Sequence, residues 1–198
     1  MRSHEPHRSA KAKPPPSHSL IESEMSERKR LVVVCGLPGT GKTTVASDLA
    51  ARLEADLVRT DVVRKDRFPD PEYTETETQT TYEATLARAA RALERDGVAV
   101  VDGTFRREPL RERARAVAED ADARFELVRV ECDTSVVRTR IAEREGDESD
   151  ADFAVYELLE SEFEPPAEPH HRVDNSGSLA ETRRQLTAIC ETLEARVS

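Results

Sequence analysis

The sequence predicts a three-layer α/β fold in which a mostly parallel five-stranded sheet is covered by helices on both faces. Three observations predict it. Short apolar runs such as Leu31-Val32-Val33-Val34-Cys35 and Val98-Ala99-Val100-Val101 alternate with segments of helical periodicity. Those two runs are continuously apolar, as in strands covered on both faces. Strand and helix alternate throughout, and crossovers of that kind demand parallel strands.

The first strand, Leu31–Cys35, runs into Gly36-Leu37-Pro38-Gly39-Thr40-Gly41-Lys42-Thr43. That stretch fills every fixed position of the G-x-x-x-x-G-K-[ST] phosphate-binding pattern, in the strand–loop–helix context it requires. A helix over about Lys42–Glu54 follows, with Val45, Leu49 and Leu53 four residues apart. Leu57-Val58-Arg59 reads as a short second strand ending in Thr60-Asp61, and Asp61–Asp66 has helical character. Pro69-Asp70-Pro71 interrupts the chain, since proline lacks an N–H and restricts its predecessor. Thr74 and Glu77 form a capping box for a long helix with Tyr82, Leu86, Ala89 and Leu93 on its apolar face, and Gly97 ends it. The third strand, Val98–Val101, ends at Asp102-Gly103-Thr104-Phe105. Leu110, Ala114, Val117 and Ala121 mark a helix over about Arg106–Ala121, and Phe125–Glu131 is the fourth strand. Asp133 or Thr134 caps a helix bearing Arg138, Arg140 and Arg144. An acidic turn at 146–150 precedes a further helix over Ala151–Phe163. Pro165-Pro166 and Pro169 mark a loop before the last strand, His171–Asp174. Ser178 with Glu181 caps a closing helix through Leu186, Ile189, Leu193 and Val197.

Length and composition predict one folded domain over 30–198, preceded by a disordered tail over 1–29. The tail holds Pro14-Pro15-Pro16 and almost no large apolar residue, so it cannot bury a core. Met25 stands just before the first strand as an alternative start of translation. The formal charge is −10, and the acidic excess lies in the body of the chain. An acidic body argues against a broad surface for nucleic acid, whose phosphates attract clustered Lys and Arg. No run approaches the ~20 apolar residues of a membrane span. A cytoplasmic monomer or homodimer is expected. Lysine is scarce beside arginine and carboxylates abound, a composition resembling proteins of the salt-loaded cytoplasm of halophiles. Cys35, Cys132 and Cys190 form no C-x-x-C pair and read as small buried hydrophobes rather than zinc ligands.

The chemistry is expected at the carboxyl ends of the strands, where ligands of such sheets bind. Gly36, Pro38, Gly39, Thr40, Gly41, Lys42, Thr43 and Thr44 form the nucleotide loop. Backbone N–H groups at a helix N-terminus converge on phosphate oxygens, and Lys42 adds a mobile charge for the β- and γ-phosphates. The Thr43 hydroxyl and Asp102, at a Walker B position after the third strand, suit Mg²⁺. Asp61 sits where an acceptor hydroxyl would approach and is placed to take its proton, or else it caps the next helix. Arg140 and Arg144 lie four apart on one helix face and could close over the transferring phosphate, the alternative being a solvated face paired with Glu143 and Glu145.

These stretches resemble the P-loop kinase group that includes gluconate kinases, polynucleotide kinase, chloramphenicol phosphotransferase and zeta-type toxins. They are most similar to the kinase-like domains often called AAA-family ATPases. The resemblance rests on Gly36–Thr44, Thr60-Asp61-Val62-Val63-Arg64-Lys65, Val101-Asp102-Gly103-Thr104-Phe105 and Gly146–Glu157, and covers nearly all of 31–197. It implies a three-layer P-loop NTPase with a small helical lid, using ATP and Mg²⁺. It also implies Asp61 as the base-like residue, Arg64 and Thr104 at the acceptor, and Arg140 and Arg144 in the lid. Gly103 replaces the alanine commoner in the group, a small change expected to do little harm. No second-domain fusion is recognisable, and no arginine-finger region or second helical domain of a hexameric unfolding machine.

The leading expectation is a kinase that transfers the γ-phosphoryl of ATP to a hydroxyl of a small molecule. Arg59, Arg64, Lys65, Arg67, Arg106 and Arg107 offer a short basic track, so a 5′-hydroxyl nucleoside or polynucleotide is an alternative acceptor, disfavoured by the acidic body. A nucleotide-dependent switch without an acceptor is the other alternative.

Overall fold

The computed structural model describes residues 29–145 and 149–195, with the side chains at 144, 145 and 149–152 outside that description. The expected tail, the acidic turn around 146–148, the Arg144 side chain and Val197 therefore lie outside the described residues.

Along the chain run β1 (Arg30–Cys35), α1 (Lys42–Arg52), β2 (Asp56–Arg59), α2 (Thr60–Arg67), α3 (Glu75–Asp96) and β3 (Val98–Asp102). Then follow α4 (Glu108–Asp120), β4 (Arg124–Glu131), α5 (Thr134–Glu145), α6 (Ser149–Ser161), β5 (His171–Asp174) and α7 (Leu179–Ala195). The sheet order is β2-β3-β1-β4-β5, and every neighbouring pair is parallel. The expected three-layer P-loop architecture is thus present, with a sheet that is wholly rather than mostly parallel.

Strand β1 is central, and all six of its residues are buried. Successive side chains of a strand face opposite ways. Leu31, Val33 and Cys35 accordingly pack with Leu86, Leu93 and Ala114 of α3 and α4, while Val32 and Val34 pack with Val45, Leu49 and Leu186 of α1 and α7. A third cluster joins Val137 and Ile141 of α5 to Phe153 and Tyr156 of α6, with Leu37 of the phosphate loop against it. The helical pair α5–α6 thereby stands at the loop as the expected lid.

Thr74 caps its helix through the hydroxyl, and Ser178 with Glu181 forms a reciprocal capping box. The Glu77 N–H donates to Thr74 Oγ1 at 3.2 Å, and Gly97 closes α3 at φ 77°. The Glu181 N–H donates to Ser178 Oγ at 3.3 Å, while Glu181 Oε2 accepts from the Ser178 N–H at 2.8 Å.

Two details differ from the sequence expectation. Helix α2 begins at Thr60 directly after β2, so Asp61 lies in its first turn rather than on a strand tip. Helix α4 buries Arg111, Ala114 and Ala118, a face rotated from the one that Leu110 and Val117 mark. The rotation lets Arg111, only 1 % exposed, donate to the Phe105 carbonyl at 3.0 Å and pair with Glu168 at 3.3 Å. Phe105 needs that support, because it holds a left-handed φ of 43° in the loop after β3.

Burial opposes ionisation of Glu168, but its own backbone N–H and the guanidinium groups of Arg111 and Arg115 outweigh it and hold the pKa below the usual 4.5. A folded-state value below the unfolded one means stability that is present above pH 4.5 and lost as acid titrates the carboxylate. Glu168→Gln is expected to flatten the fall of Tm on the acid side of that value, read by thermal melts across pH; an unchanged acid limb would remove Glu168 from the account.

Candidate functional site

The phosphate loop curls between β1 and α1 around left-handed residues. Gly41, the residue before α1, has φ 88°, and a Cβ there would lie 2.2 Å from Asn175 Nδ2. No residue but glycine fits. The first turn of α1, with Lys42, Thr43 and Thr44, contains no acidic side chain, so nothing there opposes the helix dipole in favouring an anion. Lys42 Nζ donates to the Leu37 carbonyl at 2.7 Å, so its ammonium lies within the loop.

Asn175, just past β5, clamps the loop from behind. Its Nδ2 donates to the Thr40 carbonyl at 2.8 Å, and its Oδ1 accepts from the Thr182 hydroxyl at 2.7 Å. Arg140 reaches the same place: its guanidinium lies 3.5 Å from the Thr40 carbonyl and donates to the Asn175 carbonyl at 2.9 Å. Arg140, expected over the phosphates, thus has its donors on backbone carbonyls at the root of the loop.

Asp102 ends β3 at 5 % exposure and accepts from the Thr43 hydroxyl at 2.6 Å. The register that pairs Val34 and Arg59 with Asp102 brings them together. A hydroxyl beside a buried carboxylate is an oxygen donor set that suits Mg²⁺, which keeps several waters and takes one or two carboxylates plus substrate phosphates. The residues present fit the ion.

Arg59 links the two acidic positions. It grips Asp61 with Nε at 3.1 Å and Nη2 at 2.6 Å, and its Nε lies 3.9 Å from Asp102. Asp61 Oδ1 also accepts from the Val62 N–H at 2.9 Å. Sequence reasoning gave Arg59 only a place in a basic track. The signal it lacked was the strand register opposite Asp102.

A cleft of about 950 Å³ opens beside the loop, lined by Pro38, Asp61, Arg64 and Thr104 among others. Asp61, Arg64 and Thr104, all expected at the acceptor, therefore face one chamber. Arg64 lies 4.9 Å over the Tyr73 ring and donates to the Thr78 hydroxyl at 3.3 Å. The Gly36 N–H donates to the Thr104 carbonyl at 3.2 Å, which ties this wall to the phosphate loop. Tyr82 and Phe105 belong to the core, ring edge to face at 4.9 Å, with the Tyr82 hydroxyl accepting from the Phe105 N–H at 3.0 Å. Only Tyr73 stands exposed.

Gly103 is tighter than expected. A Cβ there would meet Thr60 Cγ2 at 2.8 Å and Phe105 Cε2 at 2.9 Å. The alanine commoner in similar domains does not fit this version of the site. Gly103→Ala is expected to destabilise the fold by about 1–3 kcal/mol, the usual cost of overpacking, measured by chemical denaturation. A change below about 0.5 kcal/mol would show that the Thr60 helix start gives way freely.

Burial pushes the Cys35 thiol up to about 12, against the opposing charge of Arg111, and raises Cys190 as well. Both are the inert small hydrophobes expected. Cys132 differs in being half-buried at the open end of β4, where it accepts from Arg140 at 3.4 Å; burial still raises its thiol.

An AAA domain family model (AAA_33) matches residues 31–166, more than half of the chain. The chain belongs to that family. This AAA domain is similar to an uncharacterized protein of Mycobacterium tuberculosis strain H37Rv, 29% identical over 161 residues, which are 75% of this chain and 32% of that protein. The chain thus spans about a third of the length of the curated relatives it matches. A gluconokinase of Sinorhizobium meliloti 1021 superposes with TM-score 0.64 at 21% identity, over 85% of this chain and 97% of that one. An APS kinase of Mycobacterium tuberculosis, in complex with AMPPNP and APS, superposes with TM-score 0.65 at 21% identity, over 84% and 98%. The AAA domain here has the fold of P-loop kinases. Among its described residues no helix is long and apolar enough to cross a membrane.

Proposed function

We propose that this domain is an ATP-dependent kinase that transfers the γ-phosphoryl group to a hydroxyl of a small molecule in the 950 Å³ cleft. One observation carries the reading: Pro38 of the phosphate loop, Asp61, Arg64 and Thr104 line a single chamber, so nucleotide and acceptor would meet there. A switch ATPase needs no such chamber. The kinase and AMPPNP complex among the similar folds support ATP as the donor.

The loop N–H groups and the start of α1 hold the phosphates, and Lys42 exchanges the Leu37 carbonyl for β- and γ-phosphate oxygens. Thr43 and Asp102 would hold Mg²⁺, which would supply positive charge against the negative charge developing on the phosphates. Asp61 receives the proton of the acceptor hydroxyl. The acceptor oxygen forms a bond to the γ-phosphorus as the bond to the bridging oxygen breaks, and that oxygen leaves on ADP. Arg59 fixes the Asp61 carboxylate by its two contacts, and Arg64 and Thr104 orient the acceptor. Arg140 acts through the Thr40 carbonyl as a positioning residue, and Arg144, four residues on along α5, is the lid guanidinium.

Asn175→Ala is expected to raise KM for ATP by about fivefold to tenfold, the loss of one buried hydrogen bond to the loop, with kcat within about twofold. An unchanged KM would release Asn175 from that role. The reading as a whole is tested by incubating the protein with ATP and pooled metabolites, followed by mass spectrometry. A new phosphate ester supports a kinase. ADP and inorganic phosphate with no ester support the switch.

A further inference from the structure

The surface of the acceptor cleft carries more information than its position. We infer that the acceptor is an alcohol bearing both an anionic group and an apolar or aromatic body. This inference rests on the kinase reading above.

Charge is the first observation. The chain carries −10 overall, yet five basic and three acidic side chains line this cleft. One of the acids is Asp61, and another, Glu162, is held by Arg106 at 3.1 Å. Two guanidinium nitrogens at this wall, Arg64 Nη1 and Arg106 Nε, are buried without a hydrogen-bond partner. Glu77 Oε2, itself buried without a hydrogen-bond partner, forms an ion pair with Arg64 Nη1 at 3.8 Å, beyond hydrogen-bond reach, so the pair leaves both atoms unbonded. Buried donors on a cation call for an anionic oxygen.

Apolar surface is the second. Five large apolar side chains are exposed among the described residues, and three of them, Tyr73, Val155 and Leu158, line this one cleft. Val155, Leu158 and Leu159 recur at helical spacing, so α6 turns one apolar face into the chamber. Exposed apolar surface gathered in a concavity marks a ligand site. A polyhydroxylated acid would press its hydroxyls against leucine, and a neutral alcohol would leave the arginine donors unpaired. The cleft volume of about 950 Å³ lies at the upper end for small-molecule sites and exceeds what a six-carbon acid fills. The anionic end is assigned to Arg64 and Arg106, the body to α6 and Tyr73, and the hydroxyl to Asp61. A carboxylate on a ring and the 5′-phosphate of a nucleotide share this chemistry.

The test is isothermal titration calorimetry on the full chain saturated with AMPPNP and Mg²⁺, so that the donor site is filled. Four probes are titrated: 4-(hydroxymethyl)benzoate, its neutral analogue 4-(hydroxymethyl)benzamide, gluconate, and adenosine 5′-monophosphate. At least one ring-bearing anion is expected to bind about tenfold or more tightly than both the amide and gluconate, the loss that follows a missing charge-assisted hydrogen bond. Which of the two does so identifies a carboxylate or a phosphate as the anion. Arg64→Gln is expected to bring that anion to the level of the amide, and Arg106→Gln supplies a second variant should the first fold poorly. Leu158→Asn is expected to weaken the ring-bearing anion by about tenfold and to leave gluconate unchanged. The inference is overturned if gluconate or the amide binds as tightly as both ring-bearing anions, if neither anion binds, or if both arginine variants keep the preference. Phosphorylation of the bound probe by ATP is scored separately. A probe that binds as expected while ATP yields only inorganic phosphate sinks the kinase reading and leaves the ligand class standing.

Discussion

Replacing Lys42 with methionine is expected to slow phosphoryl transfer by about 10²–10³-fold, the usual cost of removing one preorganised charge from a transition state. Methionine keeps most of the stem and loses the ammonium. The ammonium lies 2.7 Å from the Leu37 carbonyl, inside the loop, so only a short movement separates it from bound phosphate oxygens. Among the described residues the other lysines are Lys29, which donates to the Ala121 carbonyl at 3.3 Å, and Lys65, which lines the large cleft. Steady-state ATP consumption and circular-dichroism melting check the expectation together. A rate within about tenfold of wild type, in a folded protein, would place the stabilising charge elsewhere.

Asp61→Asn is expected to lower kcat by about 10²–10⁴-fold while leaving ATP affinity unchanged, as removal of a general base does. The substitution keeps shape and removes the proton acceptor. Two functions compete for this side chain. One of its oxygens accepts from the Val62 N–H at 2.9 Å, a capping contact that asparagine reproduces. The bidentate grip of Arg59, a residue that also approaches Asp102, is harder to explain as capping alone. Full activity in Asp61→Asn would reduce the residue to a cap and return the base to an unassigned group.

The sheet and its helices were legible because their signals are local. Continuous apolar runs marked the strands, 3.6-residue periodicity marked the helices, and Thr74–Glu77 and Ser178–Glu181 announced their own helix starts. The phosphate loop was equally legible, being a contiguous pattern. Arg59, Asn175 and Arg111 were not, since each acts through a contact that only the folded chain creates. Arg59 meets Asp102 through strand register, Asn175 meets Thr40 across 135 residues, and Arg111 meets Glu168 across 57. Arg111 also shows how an arginine escapes a periodicity argument that counts only apolar residues: Leu110, Ala114, Val117 and Ala121 marked the helix, and the buried Arg111 lay outside that pattern. The acceptor cleft was out of reach for the same reason. Its walls come from the phosphate loop, α2, α3, the turn after β3, α4 and α6, and no single stretch of sequence displays them together.

The central claim is that the γ-phosphoryl group ends on a hydroxyl and not on water. ATP carrying ¹⁸O at its three non-bridging γ-oxygens, incubated with the protein, Mg²⁺ and the acceptor found by metabolite screening, tests this directly by mass spectrometry of the products. The account predicts a phosphate ester that retains all three labels, formed one for one with ADP and about 10²–10³-fold more slowly with Lys42→Met. Recovery of the labels in inorganic phosphate alone, at an unchanged rate of ADP formation, would contradict it.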